Sequence, residues 1–414
     1  MRFISRKLFL LFPLLLLSFA TAAQTSPAGS GLDPARLARI PNRMKELVDQ
    51  GIASGAVTLV ARHGVIAELD AVGYRDLENK TPMTTDTIFQ IMSMTKPFTG
   101  VGIMMLFEEG KLQIDDPVEK YLPEFRGQMV MDGTTNSGAP ALRKPSRPVT
   151  IRDLMTHTSG VIDGPVDDIM LMSNNMRSTL AETVAEYAKH PLRFDPGTMW
   201  QYSSPGIDIL GRIIEVVSGQ SFEQFTAQRL FDPLGMKDSF FYAPPDKQKR
   251  VALVYHSENG KLVRSTEHIL GGNPSDFRKD ARDPSPGWGM YSTATDLFAF
   301  YQMMLNGGTY KGRRFLSKPS IELMTQNFTG YLPRAGWMGG GGYGLTWEVA
   351  KEAPGTLILR FPGAYGHGGA FGTQGWIDPK LDMIRIFMVQ NSDGNGGKLS
   401  DPFMVMAASS ISDY

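Results

Sequence analysis

The sequence predicts an α+β fold: a central antiparallel sheet, built from both ends of the chain and flanked by helices. Two observations carry this prediction. Segments of strand composition cluster near both termini, and the segments between them read mainly as helices and loops. The chain has 414 residues, of which 42% are hydrophobic, enough for one large domain or two closely packed ones. We therefore expect a sheet closed by the two termini and an inserted, mainly helical lobe.

The first 23 residues are typical of a secretory signal peptide. Basic residues come first, an apolar run from Leu8 to Phe19 follows, and small residues extend to Ala23. A membrane anchor is the alternative, but the run holds about a dozen residues and is interrupted by Pro13, whereas a bilayer span needs roughly 20. We expect the mature protein in the bacterial periplasm or the medium, without a stable membrane span.

Composition narrows the choice of partners. Lys plus Arg number 42 and Asp plus Glu number 42, so no charge excess favours a nucleic acid or an acidic membrane surface. The chain has no cysteine, so the exported protein must be held together by its core rather than by disulfides. The expected partner is a small molecule, and the oligomeric state stays open.

The amino-terminal elements follow a short polar linker, residues 24–32. Asp33 and Pro34 can open a helix whose apolar residues recur at helical spacing. Two β-rich runs, Ala56–Arg62 and Val65–Gly73, are separated by two turn residues and predict a hairpin. The first part of the chain thus supplies a helix and two antiparallel strands.

The carboxy-terminal end repeats this arrangement. The runs Gly372–Asp378 and Met383–Gln390 flank a Pro-Lys turn and predict a second hairpin, and the last residues predict a closing helix. We assign residues 33–414 to one domain, whose α/β part comprises about residues 33–95 and 335–414.

The middle of the chain, about residues 96–334, is the predicted helical lobe. A connection rich in Gly, Ser, Thr and Pro, Arg126–Pro148, predicts a long functional or mobile loop. The predicted helices of the lobe are Phe98–Glu109, Ile151–Thr156, Leu180–Lys189, Pro205–Ser218, Ser221–Leu230 and Ala294–Leu305.

The stretch QIMSMTKPFTG places Ser93 three residues before Lys96. At the start of a helix, residues i and i+3 project from the same side, so the hydroxyl and the amine would face each other. A serine hydroxyl needs a base within hydrogen-bond reach, and lysine can serve when its surroundings favour the neutral amine. The spacing alone arises about once by chance in a chain this long. An exposed lysine at a helix start is the alternative.

Two further segments carry candidate groups. Tyr202 stands in WQYSSPG, in a turn before a predicted helix, where a phenol beside a lysine can accept a proton because its anion is stabilised. A loop tyrosine that only packs is the alternative. His367, Gly368 and Gly369 precede a predicted strand, and the glycines leave room for a substrate along the strand edge. A glycine turn that merely reverses the chain is the alternative there.

Taken in this order, the three segments resemble those of the serine β-lactamase and penicillin-recognising family, in particular its class C branch with the related esterases and D-aminopeptidases. The resemblance spans nearly the whole mature chain, through IRDLMTHTSG, FDPGTMWQYSSPG, LFDPLGMKDS, GMYSTATDLFAFYQMMLNGG and GHGGAFGTQGWIDPKLDMIRIFMVQN. It implies the β-lactamase/transpeptidase-like fold and a hydrolase that forms and then hydrolyses a covalent acyl-enzyme. Such chemistry requires neither a metal nor an organic cofactor.

The resemblance also implies roles for individual residues. Ser93 would be the nucleophile, Lys96 the partner that keeps it activated, and Tyr202 the base that activates water. The backbone N–H groups of Ser93 and Ala370 would form the oxyanion hole, where a missing donor costs roughly a hundred-fold in rate. The substrate-binding positions implied by the resemblance are Ser204, His367, Gly368 and Gly369.

Two positions depart from the penicillin-specific pattern. His367 stands where such members usually carry the lysine of Lys-Thr-Gly, and Ser204 stands where many carry asparagine. An imidazole of ordinary pKa, about 6.5, is mostly neutral at pH 7 and attracts a β-lactam carboxylate less than an ammonium does. Serine offers one hydroxyl where asparagine offers both an amide donor and a carbonyl acceptor. Both changes weaken the case for a dedicated β-lactamase.

We therefore predict a carboxylesterase-like serine hydrolase for small esters or amides. One alternative is a β-lactamase, D,D-peptidase or D-aminopeptidase that uses the same residues. The other is a non-catalytic member of the fold that binds cell-wall peptide or a partner protein.

Other candidate residues are weaker. The chain has no Gly-x-Ser-x-Gly elbow, and its six histidines show no His-Glu-x-x-His spacing for zinc. His157 is inviting as a base, but the resemblance implies a structural turn there. Trp288, Tyr291, Trp337 and Phe371 are candidates for the wall of an acyl pocket, although aromatic side chains more often belong to the core.

Overall fold

The structure is a computed structural model, and it describes residues 28–134, 138, 140–161, 176–266, 274–335, 341–350, 358–393 and 396–413. The predicted signal peptide, residues 1–23, and Trp337 lie outside these residues. Within the described part of the chain, no helix is both long and apolar enough to cross a bilayer.

Helices lie mainly between the two sheet-forming ends of the chain. Among the described residues, the α-helices are α1 (Pro34–Leu37), α2 (Arg39–Asp49), α3 (Lys96–Glu108), α4 (Ile151–Met155), α5 (Leu180–Tyr187), α6 (Ser204–Ser218), α7 (Phe222–Thr226), α8 (Asp232–Leu234), α9 (Ala294–Leu305), α10 (Lys318–Met324) and α11 (Gly396–Ser409). A π-helical turn joins α7 to α8, and 3₁₀ turns cover Met92–Thr95, Val118–Lys120, Pro123–Phe125, Gln248–Arg250 and Pro274–Asp276.

Local signals explain where several helices begin and end. Thr179 and Glu182 form a reciprocal capping box at the start of α5. Gly219, with a φ of 73°, ends α6 in the left-handed conformation that glycine adopts without strain.

The strands of the described residues are β1 (Gly55–Arg62), β2 (Val65–Asp76), β3 (Thr81–Pro82), β4 (Phe89–Gln90), β5 (Val130–Thr134), β6 (Pro140–Arg143), β7 (Trp200–Gln201), β8 (Tyr255–Glu258), β9 (Lys261–Arg264), β10 (Tyr291–Ser292), β11 (Thr309–Tyr310), β12 (Arg313–Arg314), β13 (Arg334–Ala335), β14 (Gly341–Tyr343), β15 (Glu348–Ala350), β16 (Tyr365–Gly368), β17 (Gln374–Asp378) and β18 (Met383–Met388).

Eight of these strands form one sheet in the order β14-β15-β16-β17-β18-β1-β2-β3, and every neighbouring pair is antiparallel. The two ends of the chain meet between β1 and β18, where Val57 pairs with Met388 and Arg62 pairs with Met383. The predicted α+β fold, with a central antiparallel sheet built from both termini, is therefore confirmed.

The two faces of the sheet bury different apolar clusters. Because successive strand residues point to opposite faces, Leu59 and Ile386 pack toward the helical part of the chain, where α3, α6 and α9 lie. Val60 and Phe387 pack on the other face against α2 and α11. Both middle strands are buried along their whole length, as expected when helices cover both faces.

The structure differs from the sequence prediction in two elements. The predicted first helix is divided into α1 and α2 at Ala38. Pro41 fits this division because it falls in the first turn of α2, where a missing N–H breaks no helical hydrogen bond. The connection Arg126–Pro148, predicted as a loop, contains the β5–β6 hairpin.

Candidate active site

Ser93 and Lys96 lie on one tight turn at the start of α3. A 3₁₀ turn over Met92–Thr95 leads directly into the helix. Met92 has a φ of 49°, and the Thr95 hydroxyl donates to its carbonyl across 2.6 Å, which closes the turn. In this geometry Lys96 Nζ lies 3.1 Å from Ser93 Oγ.

The Lys96 ammonium is fully buried and donates three hydrogen bonds. The acceptors are Ser93 Oγ at 3.1 Å, Ser204 Oγ at 3.2 Å and the Gly287 carbonyl at 2.8 Å. These three acceptors match the three N–H donors of an ammonium. Nζ also lies 4.6 Å from the centroid of the Tyr202 ring, a cation–π distance. The structure thus brings Ser93, Lys96, Tyr202 and Ser204 together.

Tyr202 stands on the short turn between β7 and α6. On one side, β7 pairs in parallel with β13, and the Trp200 N–H donates to the Pro333 carbonyl across 2.9 Å. On the other side, Ser203 caps α6, because its Oγ accepts the Gly206 N–H at 3.1 Å. The turn that carries Tyr202 is therefore held at both ends.

The turn after β16 packs against the segment that leads to Ser93. A Cβ on Gly369 would overlap the Ile91 carbonyl and the Thr373 hydroxyl, so only glycine fits there. The Thr373 hydroxyl also donates to the Ile91 carbonyl across 3.3 Å. Strand β16 ends at Gly368, so Ala370 lies exposed in the turn between β16 and β17.

His367 lies on β16 with only 2% of its surface exposed. Its Nε2 is 2.9 Å from the Tyr343 hydroxyl and its Nδ1 is 2.7 Å from the Gly368 carbonyl. A carbonyl only accepts, so Nδ1 carries the proton and Nε2 accepts from Tyr343. Burial, reinforced by the charge of Lys96, lowers the pKa of His367 from 6.5 to about 3. The imidazole is therefore neutral at pH 7.

One cavity of about 490 Å³ joins most of the predicted site residues. Of the predicted positions, it is lined by Ser93, Tyr202, His367, Gly368, Gly369 and Ala370. Lys96 and Ser204 are not part of this lining. Lys96 is connected to it by its hydrogen bond to Ser93, and Ser204 accepts a hydrogen bond from Lys96. The remaining lining includes the aromatic side chains Trp200, Tyr343 and Trp376 and the charged side chains Glu348, Arg360 and Asp401.

Three of the four aromatic residues proposed from sequence for an acyl pocket do not line the cavity, and the fourth, Trp337, lies outside the described residues. Trp288 and Phe371 are buried in a small apolar cluster with Met92, and Tyr291 is buried against another. The walls of the cavity come from Trp200, Tyr343 and Trp376 instead. Trp200 and Tyr343 belong to the short strands β7 and β14, which were not predicted, whereas Trp376 belongs to β17, which was predicted as a strand but not as part of the cavity.

A buried carboxyl group, that of Asp208, lies near Lys96. Asp208 accepts the Gly287 N–H at 2.9 Å and the Tyr187 hydroxyl at 3.3 Å. Burial, together with the nearby carboxyl of Asp283, raises the pKa of Asp208 well above its ordinary value. By accepting the Gly287 N–H, Asp208 therefore holds the residue whose carbonyl accepts from Lys96. In sequence it looks like any polar residue of an amphipathic helix.

His157, which the resemblance assigned to a structural turn, lies directly beside Tyr202. The centroids of the two rings are 4.4 Å apart. The imidazole is buried, and burial together with the charge of Lys96 holds the pKa of His157 well below its ordinary value.

Comparison with known proteins places the chain in a family. The family model described as Beta-lactamase matches residues 40–408. The chain belongs to the beta-lactamase family. Protein Rv1367c of Mycobacterium tuberculosis is 33% identical over 372 residues, which cover 84% of this chain and 88% of that protein. Esterase EstB of Burkholderia gladioli is 30% identical over 411 residues, which cover 92% of this chain and 97% of that protein.

A solved structure shares the fold. EstCE1, described as a hydrolase with promiscuous acyltransferase activity, aligns with a TM-score of 0.75 over 92% of this chain and 99% of that chain, at 24% identity. The protein is thus a beta-lactamase-family hydrolase with a β-lactamase/transpeptidase-like fold.

Proposed function

We propose that the protein is a carboxylesterase-like serine hydrolase, which cleaves small esters or amides through a covalent acyl-enzyme. The main support is the 3.1 Å between Lys96 Nζ and Ser93 Oγ, with the amine fully buried and the hydroxyl on the cavity wall. Burying an amine is costly unless it is hydrogen-bonded, and a protein that only binds has no need of one held against a cavity hydroxyl.

In the acylation step, Ser93 Oγ attacks the acyl carbon of the substrate. Its proton passes to the Tyr202 oxygen, which acts as a phenolate stabilised by the Lys96 ammonium. The bond between the acyl carbon and the leaving oxygen or nitrogen breaks, and the leaving group takes up that proton as it departs. The acyl group then remains on Ser93 as an ester.

In the deacylation step, Tyr202 acts as the general base. A neighbouring ammonium stabilises a phenolate, and Lys96 Nζ lies 4.6 Å from the Tyr202 ring centroid. The phenolate takes a proton from water, which attacks the acyl carbon. The ester bond to Ser93 breaks, the serine oxygen regains the proton, and the acid product leaves.

The negative charge that develops on the acyl oxygen requires hydrogen-bond donors. We assign this role to the backbone N–H groups of Ser93 and Ala370. The assignment is supported by the hydrogen bond from Thr373 to the Ile91 carbonyl, which holds the turn of Ala370 against the segment of Ser93. Loss of one such donor costs roughly a hundred-fold in rate.

The groups around the cavity favour uncharged substrates over anionic β-lactams. His367 is neutral at pH 7 and uses both ring nitrogens within the protein. Ser204 is engaged by Lys96. Among the described lining residues, two carry carboxyl groups, Glu348 and Asp401, and one carries a guanidinium, Arg360. An anionic substrate therefore gains little attraction here, whereas aromatic walls suit the apolar part of an ester.

Covalent labelling tests the proposed nucleophile. The parent protein, treated with a fluorophosphonate and weighed by mass spectrometry, is expected to gain one adduct on Ser93. The Ser93→Ala variant is the matched control and should gain none. A parent protein that stays unlabelled would favour the non-catalytic alternative.

A substrate panel tests the esterase preference. We expect p-nitrophenyl acyl esters to be turned over faster than a chromogenic cephalosporin and faster than D-amino-acid amides. Rapid cephalosporin turnover without ester cleavage would instead support a β-lactamase, and preference for the amides would support a peptidase.

We also propose that the protein is exported to the periplasm or the medium, on the support of the leader-like residues 1–23. The mass of the protein recovered from the periplasmic fraction of an expressing bacterium tests this, since cleavage should remove about 23 residues. A full-length mass in the cytoplasm would contradict it.

A further inference from the structure

His157 is bonded to both chain neighbours of Tyr202. The N–H of Gln201 donates to the His157 carbonyl across 2.9 Å, and the N–H of Ser203 donates to His157 Nδ1 across 3.2 Å. Tyr202 therefore stands between two hydrogen bonds that end on one residue. Its backbone cannot shift along the chain without lengthening one of them.

The His157 ring also packs on the phenol itself. Its centroid lies 4.4 Å from that of Tyr202 and 4.6 Å from that of Tyr343. Since His157 is only 1% exposed, the ring has no room to turn away. The Tyr202 ring is thus held by the imidazole and approached by Lys96 Nζ, at 4.6 Å from its centroid.

The hydrogen bond from Ser203 requires one particular form of the imidazole. Nδ1 accepts the backbone N–H, so it carries no proton, and the single ring proton is on Nε2. Burial and the Lys96 charge disfavour a second proton on the ring. Nδ1 consequently remains an acceptor across the neutral pH range.

His157 has two energetically unfavourable features. His157 has a φ of 59°, in the left-handed region that non-glycine residues rarely adopt. Among the described residues, its buried Nε2 also has no hydrogen-bond partner. Local strain of this kind persists where the surrounding structure enforces it, and it occurs often at functional sites.

We propose that His157 is a positioning residue for the Tyr202 phenol, which it fixes through its Nδ1, its carbonyl and the face of its ring. The inference rests on the proposed function, in which Tyr202 activates water in deacylation. His157 acts through Tyr202 and exchanges no proton with the substrate.

Two substitutions separate the contacts. His157→Phe keeps an aromatic ring but leaves the Ser203 N–H without its acceptor. His157→Asn keeps an acceptor close to the Nδ1 position, and asparagine tolerates a positive φ.

Each variant is acylated with a p-nitrophenyl ester, and loss of the acyl mass is followed over time. We expect His157→Phe to deacylate about ten- to a hundred-fold more slowly than the parent, because a misplacement of about 1 Å can cost a hundred-fold. His157→Asn should recover part of the loss.

A double-mutant cycle with Tyr202→Phe distinguishes positioning from a general structural role. In the Tyr202→Phe background, His157→Phe should change the deacylation rate by less than about twofold, since the group it positions is absent. Equal fold losses in both backgrounds would overturn the proposal. His256→Asn is the matched control, because this half-buried histidine bonds to Ser265 away from the cavity and should leave the rate unchanged.

A structural readout keeps the inference separate from the proposed function. In a crystal structure of His157→Asn or His157→Phe, whichever folds, the Tyr202 ring is expected to move from its place over Lys96. If the parent protein forms no acyl-enzyme, the proposed function is contradicted, but the positioning of Tyr202 by His157 is not. If the Tyr202 ring stays in place in the variant, the proposed positioning role is contradicted, whatever the deacylation rate of that variant.

Discussion

The Tyr343 hydroxyl donates to Nε2 of His367 across 2.9 Å, in a place where neither side chain reaches bulk water. The other ring nitrogen donates to the Gly368 carbonyl across 2.7 Å. The imidazole is thus fully satisfied in its neutral form, and burial next to Lys96 lowers the pKa of His367 to about 3. The position at which penicillin-specific relatives carry a cation is therefore uncharged.

This burial predicts a loss of stability below the ordinary histidine pKa. Between about pH 6.5 and pH 3 the unfolded chain binds a proton at this residue and the folded chain does not, so the free energy of unfolding falls as the pH drops. The contribution of one such group is at most about 1.4 kcal/mol per pH unit. In urea unfolding, the parent should lose about 1 kcal/mol or more beyond His367→Gln between pH 7 and pH 5. Equal losses would contradict the buried neutral imidazole, and His256→Gln serves as the control.

A methyl group on Gly369 is expected to disturb the turn of Ala370. In Gly369→Ala the added Cβ overlaps the Ile91 carbonyl, which is backbone and cannot rotate away. We expect kcat for ester hydrolysis to fall at least about tenfold, because an oxyanion donor is displaced. Gly64→Ala is the control: Gly64 has a φ of 75° and open space around it, so the variant should lose stability but keep kcat. An unchanged kcat in Gly369→Ala would contradict the proposed role of this turn in placing the Ala370 N–H as an oxyanion donor.

The hydrogen bond from the Gly287 N–H to Asp208 is expected to matter for acylation. Asp208→Asn keeps an oxygen acceptor for this N–H, whereas Asp208→Leu leaves it unpaired, at a cost of about 1–3 kcal/mol in stability. Displacement of the Gly287 carbonyl also removes one acceptor from Lys96. Stopped-flow acylation should therefore slow about tenfold or more in the leucine variant and much less in the asparagine variant. Equal slowing in both would show that the carboxyl acts in some way other than as an acceptor.

The buried carboxyl of Glu68 is expected to change the free energy of unfolding with pH in the opposite direction to His367. It is buried on β2, where the Thr58 hydroxyl donates to it across 2.5 Å, and burial raises the pKa of Glu68 from 4.5 to about 8. Between these values the folded chain holds a proton that the unfolded chain has lost, so this residue's contribution to stability is lost as the pH rises from 4.5 toward 8.

The Glu68→Gln variant mimics the protonated carboxyl and should remove that loss. Thermal melts of parent and variant at pH 5 and pH 8 measure it, with the exposed Glu46→Gln as the control. The midpoint of the parent should decline more than that of Glu68→Gln over this range. A parallel decline in both proteins would show that Glu68 is ionised in the fold.

The strands of the two terminal hairpins, β1, β2, β17 and β18, and the approach of Ser93 to Lys96 could be predicted because they depend on local geometry. The spacing of three residues at a helix start brings two side chains to one side whatever the rest of the chain does. Likewise, the apolar and β-branched content of β1 and β18 is visible in their own residues. The break between α1 and α2 and the β5–β6 hairpin depend on turn details that the apolar pattern does not record.

The contacts of Asp208, Gly287 and His157 could not be predicted in the same way. These residues reach the site from segments far apart in the chain, and their residue types are common on helices and in turns. Their contribution depends on which atoms meet after packing, which no periodicity encodes.

By itself, the sequence determined the fold class, the family resemblance and the local partnership of Ser93 with Lys96, because these follow from residue order and short-range geometry. Only the tertiary structure decided that His367 is neutral, that Ala370 lies in a turn and that Nδ1 of His157 accepts the Ser203 N–H next to Tyr202. Desolvation and hydrogen-bond partners depend on what surrounds a group in three dimensions, so they exist only once the distant segments have packed together.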